Sequence, residues 1–139
     1  MYKCSSLSIR IGTDIVCIPR IAALVDRFGS RFLQKVYTDT EQQAYWKISS
    51  KQRLGRETGV TWLAGRWAAK EAVVKALGTG WCGVRYTDVE IRRRADGAPQ
   101  VCLYRSAEAL VANFGTGQWQ LSLSHDGDYA IATVIFYQL

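Results

Sequence analysis

The run Val60 to Leu77 constrains this chain more than any other segment. It is rich in alanine, leucine, lysine and glutamate, which lose little side-chain freedom in a helix, so it predicts one long helix that Gly78 stops. Such a helix extends about 27 Å, the width of a small domain, so the remaining elements have to pack around it. Within it Glu71 and Lys75 stand four residues apart and share one face. Alone, the pair reads as a solvated ion pair worth about 0.3 to 0.5 kcal/mol. Beside a helix end and the Gly78-Thr79-Gly80 turn, however, it gathers an acid, a base and exposed backbone donors where phosphate chemistry is possible. The segment is neither a Walker sequence nor a dinucleotide fingerprint, which sets those folds aside.

Other elements follow from local chemistry. Ile9 to Ile18 predicts a strand rich in β-branched residues, and Pro19 marks its exit into a helix over about Arg20 to Phe28, interrupted by Gly29 and Ser30. Thr38-Asp39-Thr40-Glu41 carries a capping signal and starts a short helix to about Ile48. Ser49 to Gly59 is polar and basic and reads as a loop. Val89–Arg94 and Val101–Tyr104 flank a turn containing Asp96-Gly97, and Trp119–Ser124 and Tyr129–Phe136 flank Asp126-Gly127-Asp128, so each pair predicts a hairpin. A helix from Ser106 to about Phe114 separates them. The expectation is one α+β domain over residues 1–139, with a mostly antiparallel sheet packed on one long helix.

A chain of 139 residues that is 48% hydrophobic can bury a core without staples, and no stretch is apolar enough to span a bilayer. The terminus Met1 to Ser6 lacks the features of a secretory signal, so the expected location is the cytoplasm, with no membrane partner. Cys4, Cys17, Cys82 and Cys102 are scattered and read as reduced thiols, and the single histidine, His125, completes no conventional zinc site with them. A net charge of +6 favours an anionic partner: nucleic acid, a nucleotide cofactor or an acidic protein.

Asp14 is the residue least at ease in its predicted element. Aspartate is depleted in strands, and a half-buried carboxylate needs a partner, either a structural salt bridge or a cation. Gly12 beside it permits close approach of another backbone or a ligand. Asp14 with Glu71 would offer two oxygen ligands, a number that suits magnesium, which takes one or two carboxylates and completes its shell with water and substrate phosphate. His125 ends Ser122-Leu123-Ser124-His125, with the two serines on one strand face and the histidine on the other or at the turn. Arg20, Arg27 and Arg31, spaced seven and four apart, would share one helical face if the helix runs through Gly29. That face reads either as solvated charge or as a docking surface for an acidic helix, with Leu24 and Phe28 adding apolar contact. Arg92-Arg93-Arg94 is a second basic run, read as solvated charge or a phosphate contact.

Taken in order, these pieces resemble the bacterial holo-acyl-carrier-protein synthases, the short class of phosphopantetheinyl transferases. The likeness is carried by Ile11-Gly12-Thr13-Asp14-Ile15-Val16 with Arg20-Ile21, by Arg31-Phe32-Leu33 with Tyr37-Thr38, and by Leu63 to Ala72 continuing into Lys75 to Gly80. Ser122-Leu123-Ser124-His125 with Tyr129-Ala130 closes it. The resemblance implies that Asp14 and Glu71 hold Mg2+, and that Glu71 and Lys75 are catalytic. It further implies that Lys75, Gly78, Thr79, Gly80 and His125 line a coenzyme A site, while Arg20, Arg27, Arg31 and Trp67 dock an acidic acyl carrier protein. A homotrimer with active sites between subunits is implied as well. Cys17 stands where the family commonly has an acidic residue, and Trp67 replaces its usual phenylalanine. The implied reaction moves 4'-phosphopantetheine from coenzyme A to a carrier serine and releases adenosine 3',5'-bisphosphate, with Glu71 assisting deprotonation directly or through a water. The competing expectation is a small basic nucleic-acid-binding module, motivated by charge and aromatics, which leaves Asp14 unexplained.

Overall fold

The chain begins with strand β1 (Ser8–Cys17), followed by helices α1 (Ile18–Phe28), α2 (Ser30–Val36), α3 (Asp39–Ser49) and the long α4 (Gly55–Leu77). A single 3-10 turn (Tyr86–Asp88) leads into the hairpin β2 (Val89–Arg93) and β3 (Pro99–Leu103). Helix α5 (Arg105–Ala112) then precedes the hairpin β4 (Gln118–Asp126) and β5 (Tyr129–Gln138). This computed structural model describes residues 7–51 and 53–138, so the expectations for Cys4 and for the Met1 to Ser6 terminus lie outside the described residues.

The architecture is the expected α+β. Strands β1, β5 and β4 form a three-stranded antiparallel sheet in that order, and β2 and β3 form a separate two-stranded antiparallel ladder. Alternation along β1 and β5 turns Val16, Ala130, Ala132, Val134 and Phe136 into the core, where they meet Leu63, Ala69, Val73, Val74 and Leu77 of α4. Both hairpins and the Thr38 capping box are present. The Thr38 side chain accepts from the Glu41 amide while Glu41 Oε2 accepts from the Thr38 amide at 2.9 Å.

Two expectations need correction. The segment Ser49 to Gly59 is not a long loop, because α4 already starts at Gly55. Tertiary packing overrides the low helix propensity of its glycines. A Cβ at Gly59 would meet the Tyr45 ring at 3.0 Å, so glycine there lets α3 and α4 lie close together. The second correction concerns Gly29, which takes φ 53 and ψ −129 and ends α1. The helix does not run through it, so Arg31 belongs to α2 and the three arginines do not share one helical face.

A close approach of strand and helix occurs at Gly12. A Cβ there would lie 1.8 Å from the Ala72 carbonyl oxygen and 2.9 Å from the Ala76 amide nitrogen, so β1 presses directly on the α4 backbone. A second anchor is ionic. Lys70, fully buried on α4, pairs with the equally buried Glu41 of α3 at 2.8 Å, and Glu41 Oε1 accepts the Ile91 amide at 2.8 Å. Removing either partner of such a pair strands a charge in the core, at a cost of about 3 to 5 kcal/mol.

Glu90, buried in β2, would be pushed up by its burial. Hydrogen bonds from Thr38, Arg92 and Tyr104 and the Arg92 charge outweigh that effect and hold its carboxyl below the ordinary value. A folded-state value below the unfolded one gives stability that is present above pH 4.5 and lost as pH falls through the folded value. E90Q should therefore flatten the acid side of a stability-versus-pH curve measured by urea unfolding below pH 4.5. G12A should cost at least about 3 kcal/mol in the same unfolding assay at neutral pH, because backbone rather than a flexible side chain blocks the new methyl.

Candidate active site

The contact at Gly12 carries Asp14, two residues further along the same face of β1, up to the C-terminal half of α4. Lys75 Nζ donates to Asp14 Oδ1 at 2.9 Å and to the Thr13 carbonyl at 3.0 Å. The Asp14 side chain is 17% exposed and that of Lys75 is 54% exposed, so the pair opens to solvent. One turn earlier on α4, Glu71 Oε1 accepts from the Tyr86 hydroxyl at 3.2 Å. Burial, and then the charge and hydrogen bond of Glu71, push the Tyr86 phenol up to about 12, with Asp14 adding to the rise and Arg20 opposing it. Tyr86 is therefore a protonated donor at neutral pH, and Asp14, Glu71 and Arg20 all act on one locality. Gly78 caps α4 in the left-handed region at φ 81, and the exposed Gly78–Gly80 turn follows one turn beyond Lys75.

An aromatic column runs behind these groups. Trp81 lies 3.9 Å from Tyr86 between ring centroids, Tyr86 lies 5.3 Å from Trp67, and Trp67 stacks on Phe32 at 5.7 Å with 23° between planes. Trp67 and Tyr86 also line a groove of about 440 Å³ with Leu24, Phe28, Arg31 and Lys35. Arg31 thus reaches the α1 surface across the groove rather than along one helix. Arg27 lies over the Phe28 ring at 5.0 Å, and Arg20, at the start of α1, is exposed. Cys17, at the N-cap of α1, makes no side-chain cap. Cys17, Cys82 and Cys102 are free thiols.

His125 is elsewhere in the chain. It faces Ala130 across the β4–β5 ladder and lines a pocket of about 240 Å³ with Thr58, Thr61, Trp62 and Arg66 of α4. That half of the helix is about 20 Å from Gly78 along the axis. The chain therefore brings Asp14, Glu71, Lys75 and the glycine turn to one end of α4 and leaves His125 apart. Arg66 shares the His125 pocket, its guanidinium 4.2 Å over the Trp62 ring and its Nε buried without a partner among the described residues. Burial lowers its pKa to about 10, against the opposing charge of Glu41.

A sequence model of the 4'-phosphopantetheinyl transferase superfamily matches residues 10–134. The chain belongs to this superfamily. It is 54% identical over 125 residues to the holo-[acyl-carrier-protein] synthase of Gloeobacter violaceus, covering 90% of this chain and 89% of that protein. Among solved structures, the holo-[acyl-carrier-protein] synthase of Neisseria meningitidis superposes with a TM-score of 0.79 at 32% identity, covering 91% of this chain and 96% of that one. The Helicobacter pylori enzyme, solved in complex with coenzyme A, superposes with a TM-score of 0.74 at 31% identity over 91% of this chain and 98% of that one. These matches settle the fold as that of the transferase superfamily and do not favour the nucleic-acid alternative. Among the described residues, no helix is long and apolar enough to cross a membrane.

Sequence reasoning overlooked Tyr86, Lys70, Arg66 and Trp81. Lys70 left a signal, since it falls on the stripe Leu63, Lys70, Val74, Leu77 that is otherwise apolar. Arg66 left only its i,i+4 spacing from Trp62, and Tyr86 and Trp81 left none, because their contacts join distant segments. Of the second basic run, Arg92 pairs with Glu90, Arg94 pairs with Asp96 at 3.1 Å, and Arg93 lines a cleft with Arg66.

Proposed function

We propose that this chain is a magnesium-dependent holo-[acyl-carrier-protein] synthase, moving the 4'-phosphopantetheine arm of coenzyme A onto a serine of an acidic acyl carrier protein. The observation that carries the reading is the placement of two carboxylates, Asp14 and Glu71, at one locality beside the Lys75 ammonium.

The donor set fits a magnesium ion. Among the described residues no cluster of three or more metal-ligating side chains exists, which disfavours an all-protein cage. Two carboxylates suit a cation that keeps water and substrate phosphate in its shell. Asp14 already accepts a cation, the Lys75 ammonium, and Glu71 Oε2 takes no hydrogen bond among the described residues. Asp14 and Glu71 would hold the ion, which when bound neutralises charge on the pyrophosphate. Lys75 stabilises the charge that builds on the transferred phosphoryl oxygens. The Gly78–Gly80 turn offers backbone close to the phosphates. Glu71 assists removal of the serine proton, directly or through a water. The serine oxygen forms a bond to the phosphorus bearing pantetheine as the bond to the adenosine 3',5'-bisphosphate oxygen breaks.

Arg31, Lys35 and Trp67 line the α1–α2 groove and Arg20 and Arg27 lie exposed on α1, a set of basic groups around an apolar floor that suits an acidic carrier helix. The separation of His125 from the glycine turn is resolved by a homotrimer, in which the Arg66–His125 pocket of one subunit supplies cationic and polar groups to coenzyme A held at Lys75 of another. The outer face of the β1–β5–β4 sheet supports self-association. Ile9, Ile11, Ile15 and Ile131 project from it with exposures of 58%, 65%, 62% and 42%. A cytoplasmic enzyme serving fatty acid biosynthesis follows from the same reading.

The direct experiment is incubation with coenzyme A, magnesium and an apo-carrier, followed by intact mass. A gain of one phosphopantetheine is expected with the wild type and is lost by at least about a hundredfold in rate with E71Q at unchanged melting temperature. Unchanged turnover of E71Q at saturating magnesium would remove Glu71 from the mechanism. Replacing Ile11 and Ile15 together by lysine should convert a trimer to monomers in light scattering and abolish transfer with it. Full activity from a proven monomer would refute the shared site.

A further inference from the structure

We infer that Tyr86 is a positioning residue for Glu71, its hydroxyl fixing one carboxylate oxygen so that the other is presented to the cation. This deepens the proposed function and rests on Glu71 being a ligand.

Tyr86 is held at three points. Its backbone carbonyl accepts from Lys70 Nζ at 3.0 Å, and Lys70 is itself locked by Glu41 at 2.8 Å. The turn that carries Tyr86 is closed by the Arg85 amide donating to Asp88 Oδ2 at 3.0 Å. Its ring lies between Trp81, at 3.9 Å, and Trp67, at 5.3 Å. The hydroxyl emerges from this frame and donates to Glu71 Oε1 at 3.2 Å.

Consecutive residues of α4 therefore close a ring with the 3-10 turn. Lys70 grips the Tyr86 backbone while Glu71 receives the Tyr86 hydroxyl. A glutamate has three rotatable side-chain bonds and, only partly buried, would sample several rotamers. A donor whose ring and backbone are both fixed selects one of them. Partners of this kind orient a metal-binding carboxylate without touching the metal, and losing one typically weakens metal binding about 10- to 100-fold. At 3.2 Å the bond is long, which puts the expected loss at the lower end.

The test is Y86F, which keeps the stacked ring and removes the donor. Mn2+ binding to the protein with coenzyme A, read from the free-ion electron spin resonance signal, should weaken about tenfold, and the magnesium half-saturation of transfer should rise by the same factor. The melting temperature should stay at the wild-type value while metal affinity moves, a split that a purely structural role would not produce. Tyr86→Leu, which also removes the ring, should melt lower and show the same metal shift. A shift confined to the leucine variant would assign the effect to packing and overturn the proposal. So would unchanged Mn2+ binding by Y86F while E71Q loses transfer, an outcome that leaves the proposed function intact. If E71Q instead binds Mn2+ and transfers like the wild type, Glu71 is not a ligand and this inference falls with that assignment, while the transfer activity itself stands.

Discussion

Everything at the candidate site depends on the absence of a side chain at Gly12. With no Cβ, β1 lies against the Ala72 carbonyl of α4 at a distance no other residue permits. Helix and sheet ordinarily keep a full layer of side chains between their backbones, which would hold a short aspartate too far from the helix to meet its polar groups. Here the spacing collapses locally, and Asp14 comes within hydrogen-bond reach of Lys75. Small residues on the helix side, Ala68, Ala69, Ala72 and Ala76, complete the close packing.

A second layer of organisation keeps the polar groups of α4 in order. The buried Lys70–Glu41 pair links α4, α3 and, through the Ile91 amide, β2. Burial alone lowers the Lys70 pKa, and the Glu41 carboxylate opposes that shift, so the ammonium is retained by its partner rather than by solvent. A hydrophobic pair of similar volume would stabilise at least as well, so the value of the ion pair lies in its direction. It specifies where the 3-10 turn and Tyr86 sit. The aromatic column from Phe32 through Trp67 and Tyr86 to Trp81 then connects the groove rimmed by arginine to the neighbourhood of Glu71.

The protomer also presents two separate polar regions about 20 Å apart along one helix. At one end are Asp14, Glu71, Lys75 and the glycine turn; at the other are His125 and the buried Arg66 Nε. A single rigid helix cannot fold both ends onto one ligand. In the proposed homotrimer another copy would join them and cover the isoleucine face of the sheet. The proposed assembly would couple both regions through α4, which contributes to each.

The sequence by itself determined the elements and the chemistry at their disposal. Helix propensity and the Gly78 stop defined the end of α4, the Thr38–Glu41 box defined the start of α3, and the turn residues of both hairpins set their pairing. Each is a local effect written in a few adjacent residues. The oddity of Asp14 in a strand was legible too, because an unpaired carboxylate conflicts with its element whatever surrounds it. Less was legible where glycines were read as breakers: Gly55 and Gly59 lie inside α4, since contact with α3 outweighs their propensity. Only the tertiary structure decided that Gly12 serves a backbone contact, that Arg31 reaches the groove from a second helix, and that Tyr86 meets Glu71. Those outcomes depend on distances between segments far apart in the chain, which arise when the core packs and have no counterpart in local composition.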